Sequence, residues 1–155
     1  NYVLSKINAV ELPDVIDTKN AVLELENKIS ALIQHLHWKD FETLVDLIFS
    51  QAGWKRVSEL GKTLKTLDLD LMYPVTNERA MVQIKSASDV SEFNDYVKAF
   101  ENMSGYKTLF YVVHTPDNSL SQLKTKENVK LLLLDEISRL SINSGLTQWI
   151  ISKVS

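Results

Sequence analysis

Residues 66–73, TLDLDLMY, alternate apolar and polar side chains almost without a break. A period of two belongs to an extended strand with one buried face, because successive side chains of a strand point to opposite sides. Leu67, Leu69, Leu71 and Tyr73 take one face; Asp68, Asp70 and Met72 take the other. Pro74 to Glu78 reads as a turn. Residues 79–85 return as a second strand, with Ala80, Val82 and Ile84 on one face and Met81, Gln83 and Lys85 on the other. The two make a hairpin with a somewhat long loop. If both apolar faces enter one core, Asp68, Asp70, Gln83 and Lys85 share the opposite face.

The rest of the chain supplies elements to pack on this hairpin. Residues 1–17 read as an irregular lead-in. From Thr18, a candidate cap, Val22, Leu25, Ile29, Leu32, Ile33 and Leu36 recur at helical spacing. Phe41, Leu44, Val45, Ile48 and Phe49 form a second helical stripe, with Asp40 as cap and Gly53 as stop. A short strand is expected within 54–60 and a turn at Gly61. A helix over 89–103, capped by Ser88 and stopped by Gly105, precedes a buried-type strand at 107–114. Residues 119–127 suggest a short helix, and 129–134 another buried-type strand. Asp135 caps a helix to about Ser141, a break falls at 143–145, and 146–154 form a last helix. A hairpin followed by strand–helix–strand units gives an α/β domain, a mixed central sheet flanked by helices. Residues 1–37 are a lead-in and helix packed on a core of 38–155, in one domain overall.

Composition removes several function classes. The absence of cysteine excludes disulfides, thiolate catalysis, zinc fingers and iron–sulfur clusters. It also fits a reducing cytosol, so a cytoplasmic location is expected. No apolar run approaches the roughly 18 residues of a membrane span. No signal peptide is visible at the start, NYVLSKINAVELPD. Seventeen basic against 20 acidic residues leave a net charge of −3, so a nucleic-acid partner needs a local basic patch or a metal ion.

Two carboxylates, an amide and a lysine on one hairpin face are an oxygen-rich set that suits Mg²⁺ or Mn²⁺. A metal acidifies a bound water and polarises a phosphoryl oxygen, and an ammonium offsets developing negative charge. These are the parts of metal-assisted phosphodiester hydrolysis. The same alternation also describes a hairpin face that is merely solvated.

The ordered stretches FETLVDLIFSQAGW (Phe41 to Trp54), LDLDL (Leu67 to Leu71) and MVQIK (Met81 to Lys85) resemble the PD-(D/E)xK nuclease superfamily. More narrowly they resemble its Mrr-type restriction endonuclease group, in which Gln often replaces the acidic residue before x-Lys. The resemblance covers about residues 38–135 and implies a restriction-endonuclease-like core. It implies that Glu42 organises metal-bound water, Asp70 binds metal, Gln83 fills the acidic-or-Gln position and Lys85 is the lysine. The family often has glycine two residues before the aspartate, where this chain has Asp68. Asp68 is therefore either a second carboxylate of the site or itself the main ligand; Asp70 is preferred.

The implied activity is a Mg²⁺- or Mn²⁺-dependent DNA endonuclease, the cleavage module of a restriction or DNA-defence protein. Two alternatives keep the fold: a catalytically inactive DNA-binding or assembly module, which the neutral Gln83 permits, and a structure-specific junction nuclease. Lys55, Arg56, Lys62 and Lys65 lead into the Asp strand and could hold phosphates, or be a solvated loop. One site cuts one strand, so double-strand cleavage calls for a homodimer or two successive events. The start at Asn1 leaves room for a recognition domain outside these residues. Asp46 lies four residues after Glu42 and is expected to face solvent. His35, His37 and His114 are read as structural or surface groups, and Trp38, Trp54 and Trp149 as packing residues.

Overall fold

The computed structural model describes residues 10–57 and 68–155. Its first element is a long helix, α1 (Pro13–Gln34), and it begins earlier than its apolar spacing suggests. Pro13 stands in the first turn, where its missing N–H costs nothing, and Asp14 adds a negative charge at the positive end of the helix. Thr18 is therefore no cap: it lies inside the helix and its hydroxyl donates to the Asp14 carbonyl at 2.7 Å. Residues 13–17, expected to be irregular, are helical.

Helix α2 (Trp38–Gln51) follows. Its cap is His37, whose Nδ1 accepts from the Lys39 amide at 3.2 Å, and not Asp40. Gly53 ends the segment at φ +97°, a left-handed conformation that favours glycine. Strand β1 (Lys55–Arg56) pairs antiparallel with β2 (Leu69–Tyr73), which pairs antiparallel with β3 (Glu78–Ser88). The expected turn at Gly61 and the start of the alternating strand at Thr66 and Leu67 lie outside the described residues. The β2–β3 loop closes with Asn77 at φ 62° and its amide donating to the Tyr73 carbonyl at 2.8 Å.

Helix α3 (Val90–Glu101) leads to β4 (Thr108–Pro116). Its cap is Asp89, whose carboxylate accepts from the Glu92 amide at 2.9 Å; the Ser88 hydroxyl meets Tyr111 Oη at 2.6 Å instead. The short α4 (Asn118–Ser121) leads to β5 (Val129–Leu132), and α5 (Leu134–Asn143) and α6 (Thr147–Val154) complete the chain. Asp135 lies in the first turn of α5, but it is the Glu136 carboxylate that reaches back to the Leu133 amide, at 3.1 Å.

Among the described residues the strands form one mixed sheet in the order β1-β2-β3-β4-β5, with β3–β4 and β4–β5 parallel. Period-two alternation divides its side chains between two cores. Leu69, Leu71, Val82, Ile84 and Val112 pack under α1, α2, α5 and α6 with Ile29, Ile33, Phe41, Val45, Ile137 and Ile150. Met81, Leu109, Tyr111 and Val113 pack on the other side with Phe93 and Phe100 of α3 and Leu120 of α4. The sheet is covered on both faces, as an α/β domain requires. The hairpin face that carries the polar residues therefore looks toward α3.

Candidate active site

The β2–β3 register fixes which polar groups meet. Asp70 is directly opposite Met81, and Leu69 opposite Val82. Directly opposed residues point to the same side, so Asp70 shares a face with Met81, Gln83 and Lys85. Asp68, two residues earlier, points the same way and stands one step past Leu69 in the direction of Gln83. Its carboxylate accepts from the backbone N–H of Ile84 at 2.6 Å. That amide lies between Gln83 and Lys85 in the chain. Asp68 is exposed while Gln83 is 3% exposed, so the carboxylate sits at the rim and the amide beneath it. A cavity of about 190 Å³ opens beside Gln83, with Met81, Asp95, Tyr96 and Met103 in its wall.

Lys85 is half-buried and held by α3. Its Nζ donates to Tyr96 Oη at 2.6 Å and lies 3.0 Å from Glu92 Oε1, and it stands 4.4 Å from the centre of the Tyr96 ring. Glu92 and Tyr96 are four residues apart, so one helix face presents both. Burial pulls the pKa of Lys85 down, but its hydrogen bonds to Tyr96 and Glu92 outweigh that and raise it to about 12. The group is a fixed cation at neutral pH. A lysine in that state can orient or neutralise an anion.

Asp70 sits in a different set of partners. Arg79 Nη2 donates to both of its oxygens at 2.8 Å, and Tyr106 Oη donates to Oδ2 at 2.9 Å. The hydrogen bond to Asp70 raises the pKa of Arg79 against a lowering by burial. Burial first, and then the bond to Asp70, raises that of Tyr106. The preferred metal carboxylate of the sequence is thus bound within an ion pair, opposite Met81 and two residues short of the Gln83–Lys85 end. Asp68 is the carboxylate that the register brings to that end.

Glu42 is placed elsewhere. Helix α2 packs on the far side of the sheet, through Phe41, Leu44, Val45 and Ile48. The Glu42 carboxylate is 3.7 Å from Lys39 Nζ on the same helix. The sheet separates the helix that carries Glu42 from the face that carries Lys85, so the expected approach of Glu42 to the hairpin cluster is not what the fold provides. Asp46, expected to face solvent, holds Arg56 in a two-pronged ion pair, Nε at 3.1 Å and Nη2 at 2.9 Å. Of the basic stretch, Lys55 is exposed on β1, and Lys62 and Lys65 lie outside the described residues.

His37, His114, Trp38 and Trp54 make structural contacts, Trp149 packs at the edge of the first core, and His35 is exposed. His37 caps α2, and His114 Nε2 meets the Ile33 carbonyl at 3.0 Å while its ring packs edge-on against Phe41. Trp54 packs on Tyr73 and Phe110, and Trp38 on Phe41. Glu92, Tyr96, Arg79 and Tyr106 are the polar partners that sequence reasoning missed. The first two carried a signal: a carboxylate and a phenol at i, i+4 on the helix that directly follows the lysine strand.

The donor set bears on a divalent metal. Among the described residues no three His, Cys, Asp or Glu side chains cluster as metal ligands. The rim offers the Asp68 carboxylate, one oxygen of which already accepts an N–H, with the Gln83 amide buried beneath it. Mg²⁺ keeps several waters and is commonly held by one or two carboxylates with substrate phosphates. The residues fit an ion that is bound weakly by the protein and completed by a phosphate, not one held in a closed cage.

No protein-family model matches the sequence, and no curated protein matches it significantly. Among solved structures, a repair endonuclease from Pyrococcus abyssi is similar to this chain, with a TM-score of 0.40 and 17% identity. The match covers 57% of this chain and 44% of that one, so this chain spans less than half the length of the protein it matches. No described helix is long and apolar enough to cross a membrane.

Proposed function

We propose that the chain is a metal-dependent DNA endonuclease domain, the cleavage module of a restriction or DNA-defence protein. The observation that carries this reading is the Asp68 carboxylate bound to the Ile84 N–H, between Gln83 and Lys85 on the adjacent antiparallel strand. Asp68, with Gln83 beneath it, would hold a Mg²⁺ or Mn²⁺ ion facing a DNA phosphate, and Asp70 supports the hairpin through Arg79. When bound, the ion neutralises phosphate charge and acidifies water.

Lys85 supplies positive charge to the phosphate as negative charge develops, in a partly buried setting where such charge acts more strongly than in water. Tyr96 orients its ammonium, and Glu92 competes with the phosphate for it. Lys55 adds a phosphate contact outside the site, with Lys62 and Lys65 as further candidates. Glu42 contributes to α2 and not to the chemistry. The test is plasmid nicking in Mg²⁺ and Mn²⁺ by wild type, Asp68→Asn and Lys85→Ala. Metal-dependent nicking lost in both variants supports the reading; equal nicking by all three assigns the activity elsewhere.

A second reading keeps the fold and drops the catalysis, leaving a DNA-binding or assembly module. The neutral Gln83 favours it, as does the lack of a three-residue metal-ligand cluster among the described residues. Duplex binding without nicking in either metal distinguishes it.

A further inference from the structure

Every residue of α1 from Pro13 through Leu25 is exposed, and the helix enters the core only at Ile29 and Ile33. Most helical stability in a protein comes from packing an apolar face, and an isolated segment of this length is marginal in water. This outer half nevertheless carries apolar side chains in a defined pattern. Val15, Val22, Ile29 and Leu36 stand seven apart, with Leu25 and Leu32 between them, which is the 3.5-residue repeat of a helix–helix seam. Inside the domain the seam is filled by helices, because α1 packs on α5 and α6. Outside it, Val15, Val22 and Leu25 present the same spacing to solvent at 40%, 44% and 39% exposure. The surface has the shape of one half of a helix pair.

We propose that the outer half of α1 pairs antiparallel with the same segment of a second copy of this chain. Two observations select this occupant and direction. Asp14 and Lys28 each directly precede a seam residue, so they lie on the same flank. In an antiparallel pair a flank meets its own reverse, which sets Asp14 of each copy toward Lys28 of the other. Each domain is attached at the C-terminal end of its α1, so antiparallel pairing puts the two domains at opposite ends, whereas parallel pairing crowds them together. A contact of about four turns buries on the order of 1,000 Å² in total, the lower limit for a specific interface. This predicts a dimer that dissociates on dilution. The inference is independent of the chemistry proposed for the hairpin.

Light scattering on the 155-residue chain over about 1–100 µM tests it. Wild type should pass from monomer to dimer across this range. Val22→Glu should weaken the dimer about a hundredfold, since it removes an apolar group from both copies, and should leave the circular dichroism of the globular core unchanged. Asp14→Lys and Lys28→Asp should each weaken association, and the double exchange should restore it. A wild-type monomer at every concentration, or a dimer that Val22→Glu leaves intact, overturns the proposal. A Val22-sensitive dimer that the double exchange fails to restore overturns the antiparallel arrangement.

Discussion

Asp70 and Arg79 meet diagonally across the β2–β3 hairpin, with Arg79 Nη2 2.8 Å from both carboxylate oxygens. The pair gives the two aspartates different surroundings. Asp70 has its oxygens engaged by Arg79 and Tyr106, and Asp68 stands at the rim beside the Gln83–Lys85 end. The two aspartates should therefore fail differently. Asp70→Asn leaves the half-buried Arg79 without its charge partner and should cost about 1–2 kcal/mol of stability, the loss of a partly buried pair moderated by solvent. Asp68→Asn should change stability little and abolish nicking. Urea unfolding and plasmid nicking on both variants check this, and an Asp70→Asn protein of unchanged stability but no activity would return the metal role to Asp70.

Lys85→Ala should reduce cleavage by about 10²–10³, comparable to losing one preorganised electrostatic donor. DNA affinity should change little, because one phosphate contact is a small part of a nucleic-acid interface. Single-turnover cleavage and equilibrium binding separate these effects. A loss confined to binding would make Lys85 a surface contact.

The pKa of Lys85 gives a prediction with a definite sign. Its value is raised to about 12 in the folded chain from an ordinary 10.5. The stabilisation from its charge is therefore complete below about 10.5 and is lost as pH rises through about 12. The chemical shift of Lys85 Cε should not move between pH 7 and 10, and Tyr96→Phe should lower the titration midpoint. Titration of the wild-type group near its ordinary value would mean that the Tyr96 and Glu92 contacts do not hold in solution.

The fold could be read from this sequence wherever one face of an element is buried. The alternation of residues 69–73 marked strand β2 and its faces, and Gly53, Gly105 and Gly145 all mark breaks at positive φ. Helix starts were harder. Asp40, Ser88 and Asp135 are plausible caps by type, yet His37, Asp89 and Glu136 make the bonds, because capping depends on backbone position more than on residue type. The shared polar face was legible from period two alone. Which partners Asp68 and Asp70 each meet was not, because that depends on the loop length that sets the register. Glu42 could not be placed from sequence, since helical spacing says nothing about which side of a sheet the helix covers.

The basic stretch divides by partner. Arg56 is committed to Asp46, and Lys55 is exposed. If Lys55 touches phosphate, Lys55→Ala should reduce the slope of log affinity against log salt by about 0.9. Arg56→Ala should change it less. Equal slopes for wild type and Lys55→Ala would remove this residue from the interface.

Glu92 offers the sharpest separation of a substrate-facing lysine from a purely structural one. Its Oε1 lies 3.0 Å from Lys85 Nζ, while Tyr96 Oη accepts from the same ammonium at 2.6 Å. A phosphate reaching Lys85 must take the place of Glu92, and the two negative charges repel one another. Glu92→Gln removes the competing charge but keeps the size and the capacity to accept a hydrogen bond, and Tyr96 remains to orient the lysine. The variant should bind DNA several-fold more tightly at low salt, about 1 kcal/mol, in the range of a partly exposed charge pair. That gain should shrink as salt screens the site. A structural ion pair predicts the reverse: lower stability and no gain in DNA affinity. Fluorescence anisotropy with duplex DNA at two salt concentrations, beside a urea melt, separates them. The gain should vanish in Glu92→Gln/Lys85→Ala, and a gain that survives there would mean that Glu92 repels DNA directly and does not act through Lys85.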